Sequence, residues 1–288
     1  MLNVCDINIV RPLLERHGFH FSKAKGQNFL VKSWVPAQIA EQAGVSDACG
    51  VLEIGPGIGP LTQQLCLRAK KVVAVELDTS LKPILAETVS DFDNLTLIFD
   101  NVMKTDLPAL VAEQFGGLRP MACANLPYYI TSPILTLLLE SRLFESVTVM
   151  VQKEVAQRIC ANAGTADYSA FTVFCNYYAQ PELLFDVSPD CFLPQPKVTS
   201  SVIKLKVRTE PVCEILDEKT FFKVVRSSFA MRRKTLVNGL TAGFPQLGKA
   251  ALTELLEGCG LAANVRGETL DIPGFAAISN EIFRRANV

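Results

Sequence analysis

Between residues 50 and 151, short apolar runs alternate with longer stretches in which apolar positions recur every three or four residues. The runs Gly50–Ile54, Lys71–Glu76, Leu95–Phe99, Met121–Ala124 and Val147–Val151 lack clean alternation of polar and apolar residues. That is the pattern of central strands covered on both faces. Between them, Leu61–Ala69, Ser80–Val89 and Pro133–Ser141 have helical character. Strand–helix–strand repetition of this kind predicts an α/β doubly wound sheet. Further on, Phe171–Tyr178 and Val198–Val207 read as strands, and the chain from Asp217 onward reads as wholly helical. Within that tail, Lys219–Leu240 has apolar residues at 221, 222, 225, 229 and 236, close to helical spacing. Strand character gives way to helix near Arg208–Pro211, which predicts one domain over 1–208 and a smaller helical domain over 209–288. Internal repeats and low-complexity tracts are not visible.

Composition narrows the class. Hydrophobic residues make up 49% of the 288 residues, enough for a sizeable core, which excludes intrinsic disorder. Lys+Arg total 28 against 29 Asp+Glu, so the net charge of -1 argues against a bulk polyanion binder. The balance is uneven, however: residues 206–288 hold 12 basic against 9 acidic residues, and the rest holds 16 against 20. Residues 1–21 show no apolar run with a cleavage site, and Pro133–Leu139 is far shorter than the ~20 residues a membrane helix needs. A cytoplasmic protein without membrane contact is expected. None of the nine cysteines forms a C-x-x-C pair, so they read as small buried hydrophobes of a reducing compartment. The only histidines, His17 and His20, flank Gly18, which disfavours a helix there. Neither a metal site nor histidine-based catalysis is expected.

Two motifs carry chemistry. Val51-Leu52-Glu53-Ile54-Gly55-Pro56-Gly57-Ile58-Gly59 places a glycine-rich turn directly after the first of these strands. Glycines permit positive φ and close approach of a ligand to the backbone, and the following helix points its first N–H groups into the same crevice. Glu76, at the end of the next strand, can accept from both hydroxyls of a ribose. A nucleoside cofactor fits this pair. The dinucleotide pattern G-x-G-x-x-G/A fails at Pro60, and Glu53 would repel a pyrophosphate. S-adenosylmethionine, cationic and without phosphate, is favoured over a nicotinamide dinucleotide. The second motif, Asn125-Leu126-Pro127-Tyr128, follows the fourth strand and therefore falls beside the same crevice. The Asn125 oxygen and a neighbouring backbone carbonyl can accept from an exocyclic amine, which frees its lone pair to attack a sulfonium methyl. Pro127 fixes the turn, and Tyr128 offers a face for a flipped-out base.

Further segments belong with these: Gly26-Gln27-Asn28-Phe29-Leu30, Gln152-Lys153-Glu154-Val155-Ala156, Phe192-Leu193-Pro194-Gln195-Pro196-Lys197-Val198-Thr199-Ser200 and Phe229-Ala230-Met231-Arg232-Arg233-Lys234-Thr235-Leu236. Together with Glu53 to Thr62, Glu76 and the Asn125 tetrapeptide, they make the chain resemble the ribosomal RNA adenine N6-dimethyltransferases over nearly its whole length. The resemblance implies a Rossmann-like class I S-adenosylmethionine-dependent methyltransferase domain with a smaller all-helical C-terminal domain. It implies methyl transfer to N6 of two adjacent adenosines in the 3′-terminal hairpin loop of 16S rRNA in the 30S particle, giving N6,N6-dimethyladenosine during small-subunit biogenesis. It also implies roles: Asn28 and Leu30 at the methionine end of the cofactor, Gly55 at the turn, Glu76 on the ribose, Asn125 on both amine and cofactor, and Tyr128 with Phe192 around the target base. The family's aspartate after the third strand, an acceptor for the cofactor adenine, aligns with Asn101 here, with Asp100 as the alternative one residue earlier. Lys25 and Ser169-Ala170 are smaller departures, the second affecting one RNA contact.

Cations complete the picture. Lys219, Lys223, Arg226, Arg232, Arg233 and Lys234 fall between 219 and 240 with no acid among them, and Arg11, Arg16, Lys23 and Lys25 form a second group. Phosphate contacts need such local clusters, and Lys223, Arg226, Arg232, Arg233 and Lys234 are expected to bind RNA. A 23S rRNA dimethylase of the antibiotic-resistance type is a near alternative, disfavoured by the long helical tail and the Phe192–Ser200 motif. A DNA adenine methyltransferase would more usually have proline at Leu126. A non-catalytic assembly factor would show erosion of Glu76, Asn125 or Tyr128, and all three are present. A monomer is expected.

Overall fold

The computed structural model describes residues 2–22, 26–231 and 233–286. It divides into two compact units, one of Met1–Ala156 with Pro181–Val207, the other of Gln157–Gln180 with Arg208–Val288. Among the described residues nine strands run in chain order: β1 (Phe29–Leu30), β2 (Cys49–Ile54), β3 (Lys71–Glu76), β4 (Leu95–Phe99), β5 (Arg119–Asn125), β6 (Ser146–Gln152), β7 (Ala179–Val187), β8 (Phe192–Leu193) and β9 (Ser200–Val207). The helices are α1 (Ile7–Arg16), α2 (Trp34–Ala43), α3 (Pro60–Cys66), α4 (Lys82–Thr88), α5 (Leu107–Phe115), α6 (Thr131–Ser141), α7 (Lys153–Ile159), α8 (Ala170–Tyr178), α9 (Glu218–Ala230), α10 (Leu236–Gly243), α11 (Gly248–Gly258) and α12 (Ile272–Ala286). Among the described residues, no helix is long and apolar enough to cross a membrane.

Seven strands form one sheet in the order β4-β3-β2-β5-β6-β9-β7, with β1 and β8 as a separate antiparallel pair. The pairs β2–β3, β3–β4, β2–β5 and β5–β6 are parallel, and β9 joins β6 antiparallel. The expected Rossmann-like sheet is therefore present. All six residues of β2 are buried, which is why its sequence shows no alternation. The chain moves outward from β2 in both directions, so the carboxyl ends of β2, β3 and β5 face a topological switch point, the place where open α/β sheets hold ligands. Val35, Ile39, Leu61 and Leu65 pack with Val51, Val72 and Cys123 in one apolar cluster. Val10, Leu13, Leu14, Ile84 and Leu85 pack with Phe29 and Ile58 in another. Each fully buried aliphatic side chain of this kind stabilises by about 1.5–3 kcal/mol.

The second unit is helical. Its centre is an aromatic cluster in which Tyr177 stands 5.3 Å from both Phe221 and Phe222, and Tyr178 stacks on Phe222 at 5.9 Å. The Tyr177 hydroxyl donates to Glu218 Oε1 at 2.7 Å.

Three sequence expectations change. Phe171–Tyr178 is not a strand but most of α8. Its aromatic residues have high β propensity, yet Ser169 caps the segment with Thr172 in a reciprocal capping box, and Phe171, Phe174 and Tyr178 recur at helical spacing on one face. The strand lies directly after it, as β7. Lys219–Leu240 is two helices, α9 and α10. No apolar residue falls between Met231 and Leu236, so that stretch has no face to bury. The unit boundary differs from 208/209 in one respect: residues 157–180 belong with the helical unit, because α8 supplies half of its aromatic cluster.

Candidate active site

The carboxyl ends of β2, β3, β4 and β5 open into a single cleft within the first unit. Its floor is the β2–α3 turn. Gly55 has φ +70° with nothing within 4 Å of an added Cβ, so the turn presents open space where a ligand can lie against the backbone. Gly59 serves the fold instead: at φ +93° it caps α3, and a methyl there would stand 2.8 Å from Val89 Cγ1.

Glu76 ends β3 and is 7% exposed. Its Oε2 accepts from Gly57 N–H at 3.1 Å and its Oε1 from Asp78 N–H at 2.8 Å. Burial raises its pKa, partly offset by these donors. The same bonds fix the carboxylate against the glycine turn, leaving each oxygen a further lone pair for a ligand hydroxyl. Gln27 ties the amino-terminal motif to the same corner, donating from Nε2 to Asp78 Oδ2 at 2.7 Å while its Oε1 accepts from Ser22 N–H at 3.0 Å.

Asn125 ends β5. Its Nδ2 donates to the Asn28 carbonyl at 3.2 Å, and Asn28 Nδ2 in turn donates to the Gly26 carbonyl at 3.1 Å. Committing the amide nitrogen orients the Asn125 side chain and keeps Oδ1 available as an acceptor. Leu126 N–H is held by the Met150 carbonyl at 3.2 Å, and Pro127 carries the chain into a 3-10 turn over Tyr128–Ile130. The Tyr128 hydroxyl lies 2.7 Å from Ser200 Oγ, which anchors the ring to β9. Burial pushes its pKa up.

After β4 both adenine-contact candidates line the cleft. Asn101 caps a short 3-10 turn, its Oδ1 accepting from Met103 N–H at 3.0 Å. Asp100 is exposed, with Oδ1 accepting from Asn101 N–H at 2.6 Å.

The lining suits a cationic nucleoside. Among the described residues it contains Glu53, Glu76, Asp78 and Asp100, and no Lys, Arg or His. Glu53, 1% exposed, has an Oε2 with no hydrogen-bond partner. A phosphate would meet four carboxyl groups and no counter-charge; a sulfonium and an ammonium meet the reverse.

The structure thus brings Asn28, Leu30, Gly55, Glu76, Asn101, Asn125 and Tyr128 to one cleft. Phe192 is the exception. It is 2% exposed and packs in the apolar cluster with Leu30, Val35 and Ile39, because β8 pairs Phe192 with Leu30 in backbone register. In this conformation its ring does not offer a face to a base. Tyr129, 59% exposed on the cleft lining, is the aromatic the sequence reading missed; its place next to Tyr128 in the tetrapeptide's continuation was the available signal. In the second unit, Lys223, Arg226, Arg233 and Lys234 are exposed, and Lys219, Lys223 and Arg226 share one face of α9. The Lys223 ammonium lies 4.4 Å over the Phe244 ring. Arg232, Lys23 and Lys25 lie outside the described residues. Among the described residues no group of three His, Cys, Asp or Glu is placed to hold a metal.

Known proteins are similar to this chain in sequence and in fold. Two curated relatives, each named ribosomal RNA small subunit methyltransferase A, come from Geobacillus thermodenitrificans and Bacillus cytotoxicus. The first is 46% identical over 276 residues, covering 94% of both chains, and the second 45% over 287 residues, covering 98% of both. Among solved structures, a dimethyladenosine transferase from Plasmodium falciparum aligns with TM-score 0.77 and 25% identity over 90% of this chain and 98% of its own. The 23S rRNA methyltransferase ErmE aligns with TM-score 0.68 and 26% identity over 89% of this chain and all of its own. The model of the family described as ribosomal RNA adenine dimethylase matches residues 18–281, and a match running through both units makes this chain a member of that family, with S-adenosylmethionine as its cofactor.

Proposed function

We propose that the protein dimethylates N6 of two adjacent adenosines in the 3′-terminal hairpin loop of 16S rRNA, acting as a cytoplasmic monomer on the 30S subunit or its precursor during small-subunit biogenesis. The observation that carries the chemistry is the Asn125 amide: its nitrogen is engaged by Asn28 and its oxygen is free beside Tyr128. The choice of small-subunit rRNA is supported by relatives of that name at 45–46% identity over nearly the full chain.

Asn125 Oδ1 accepts from the adenine N6 amine and draws its nitrogen toward tetrahedral geometry. Tyr128, braced by Ser200, supplies the stacking face, and Phe192 joins it only by leaving its present packing. Glu76 receives the ribose hydroxyls. Asn28 and Leu30 hold the methionine end, Gly55 admits the cofactor to the backbone, and Asn101 takes the adenine amine with its remaining lone pair. The bound cofactor supplies a sulfonium methyl. The proton displaced from N6 leaves to water at the cleft mouth, where Tyr129 is exposed. Lys223, Arg226, Arg232, Arg233 and Lys234 bind RNA phosphates.

Tritiated S-adenosylmethionine supplied with 30S particles lacking the modification, with naked 23S rRNA, or with duplex DNA tests the reading. Dimethyladenosine formed only on the small-subunit particle is expected. Transfer to 23S rRNA instead would move the assignment to that substrate, and no transfer to any of the three would sink it.

A further inference from the structure

Residues 26–30 all line the cleft, and each is tied to a different part of it. Gln27 Nε2 donates to Asp78 Oδ2 beyond β3, the Asn28 carbonyl accepts from Asn125 Nδ2 at the end of β5, and Leu30 pairs with Phe192 in β8. Phe29 lies against the glycine turn, where a Cβ at Gly57 would stand 3.1 Å from its Cε1. Gly26 has no side chain with which to make such a tie, and Tyr129 makes it instead. A Cβ at Gly26 would stand 3.2 Å from Tyr129 Cδ1, 3.3 Å from Tyr129 Cε1 and 3.6 Å from Pro127 Cβ. The ring thus occupies the space a side chain at 26 would fill, and the backbone there, at φ +59°, is one that glycine adopts without strain. Tyr129 is 59% exposed, so its ring adds little to the core. What it does hold is Gly26. The Gly26 carbonyl accepts from Asn28 Nδ2 at 3.1 Å, and the Asn28 carbonyl accepts from Asn125 Nδ2 at 3.2 Å. Residues 125 and 129 therefore grip the same short segment at its two ends, and the contact at 129 reaches Asn125 through Asn28.

We propose that Tyr129 is a positioning residue for methyl transfer: its ring, packed on the Gly26 backbone, holds residues 26–28 in place, so that the Asn28 carbonyl keeps the Asn125 amide turned with Oδ1 toward the target amine. The residue acts through Gly26 and Asn28 and touches no reacting atom. Its place one 3-10 turn beyond Asn125, after the fixed backbone of Pro127, puts both grips on one stiff stretch of chain. An acceptor displaced by about 1 Å loses rate steeply, because its oxygen and the amine must stay aligned. Ring carbons make the contact, so the hydroxyl is dispensable. Asn28 and Leu30 also hold the methionine end of the cofactor in the proposed function, so loosening the segment weakens cofactor binding as well, though less than it slows transfer. The inference rests on the proposed acceptor role of Asn125 and not on which rRNA is methylated.

Three quantities measured on the full-length protein test this: the single-turnover rate of methyl transfer to whichever of 30S particles or 23S rRNA the wild type methylates, KM for that RNA, and calorimetric affinity for S-adenosylmethionine. Tyr129→Ala should transfer about ten- to a hundredfold more slowly. It should bind the cofactor somewhat more weakly, keep the parental KM for RNA, and melt with the parent, since an exposed ring is all it loses. Tyr129→Phe should restore both rate and affinity. Gly26→Ala sets a methyl against the ring and should slow transfer as well. Because the two changes meet at one contact, Gly26→Ala combined with Tyr129→Ala should cost less than the product of the single losses. A raised KM for RNA with an unchanged transfer rate makes Tyr129 a direct RNA contact and overturns the proposal. Parental transfer by Tyr129→Ala, a Phe variant as slow as the Ala variant, or strictly multiplicative losses would overturn it too. Parental transfer by Asn125→Ala overturns the acceptor reading instead.

Discussion

The two glycines that flank the β2–α3 turn allow ligand binding and folding to be separated by single methyl groups. Gly59→Ala forces a side chain into φ +93° and brings its Cβ within 2.8 Å of Val89 Cγ1 and 3.3 Å of Thr88 Oγ1, both on buried residues. The left-handed backbone costs about 1–2 kcal/mol for a non-glycine residue, and overfilling a packed core costs about 1–3 kcal/mol. The sum is about 2–5 kcal/mol. An unfolding entropy of about 2.1 cal/mol/K per residue gives about 0.6 kcal/mol/K for the chain, so the melting temperature should fall by roughly 3–8 °C. Gly55→Ala carries the backbone cost alone, because nothing lies within 4 Å of its Cβ, and should lower the melting temperature by only about 2–3 °C. Its methyl, however, projects into the cofactor space, and affinity for S-adenosylmethionine should fall on the order of tenfold or more, equivalent to about 1.4 kcal/mol. Thermal melts by circular dichroism and binding by calorimetry on the same two preparations give the comparison. A Gly55→Ala protein that binds with parental affinity, or a Gly59→Ala protein that melts with the parent, would refute this division of labour.

Other consequences follow from the same site. Asn125→Ala should abolish methyl transfer while largely sparing cofactor binding; a mutant with parental turnover would refute the acceptor role. Glu53 binds a proton in the folded chain up to about 8 but only up to about 4.5 when unfolded, so stability falls as pH rises through that window. Between pH 5.5 and 8.5 the loss is roughly 3 kcal/mol, and denaturant unfolding of Glu53→Gln should show a correspondingly shallower pH dependence; identical slopes would contradict a buried protonated carboxyl. Replacing Lys223 and Arg226 together by Glu should weaken binding to the rRNA substrate and reduce the slope of log affinity against log salt, with cofactor binding unchanged. An unaltered salt slope would remove α9 from the RNA interface.

The legible parts of the molecule were those written in local pattern. Gly55 to Gly59 and Glu76 could be placed because a buried strand, a turn and the end of the next strand are each short-range features, and β3 and β4 match their expected bounds residue for residue. The misplaced parts depended on partners distant in sequence. Phe171–Tyr178 has the composition of a strand and becomes a helix through a cap at Ser169 and ring contacts to residues of α9. Phe192 lies in a stacking motif, but its burial is set by pairing with Leu30, far back in the chain. The link from Gln27 to Asp78 spans 51 positions and leaves no periodic trace. The isolation of Glu53 is a property of what stands around it, and no sequence pattern records a missing partner.

The helical unit is assembled from two lengths of chain with β7, β8 and β9 between them, and this has a consequence for synthesis. On a ribosome adding ~5–20 residues per second, Tyr177 and Tyr178 emerge roughly 2–9 s before the Phe221 and Phe222 rings they pack against. During that interval α8 presents an aromatic face with nothing to cover it. A nascent chain stalled or cut near residue 208 would therefore not be a finished catalytic module lacking an accessory tail. It would carry a sticky helix, and should aggregate or attract chaperones more readily than the intact chain.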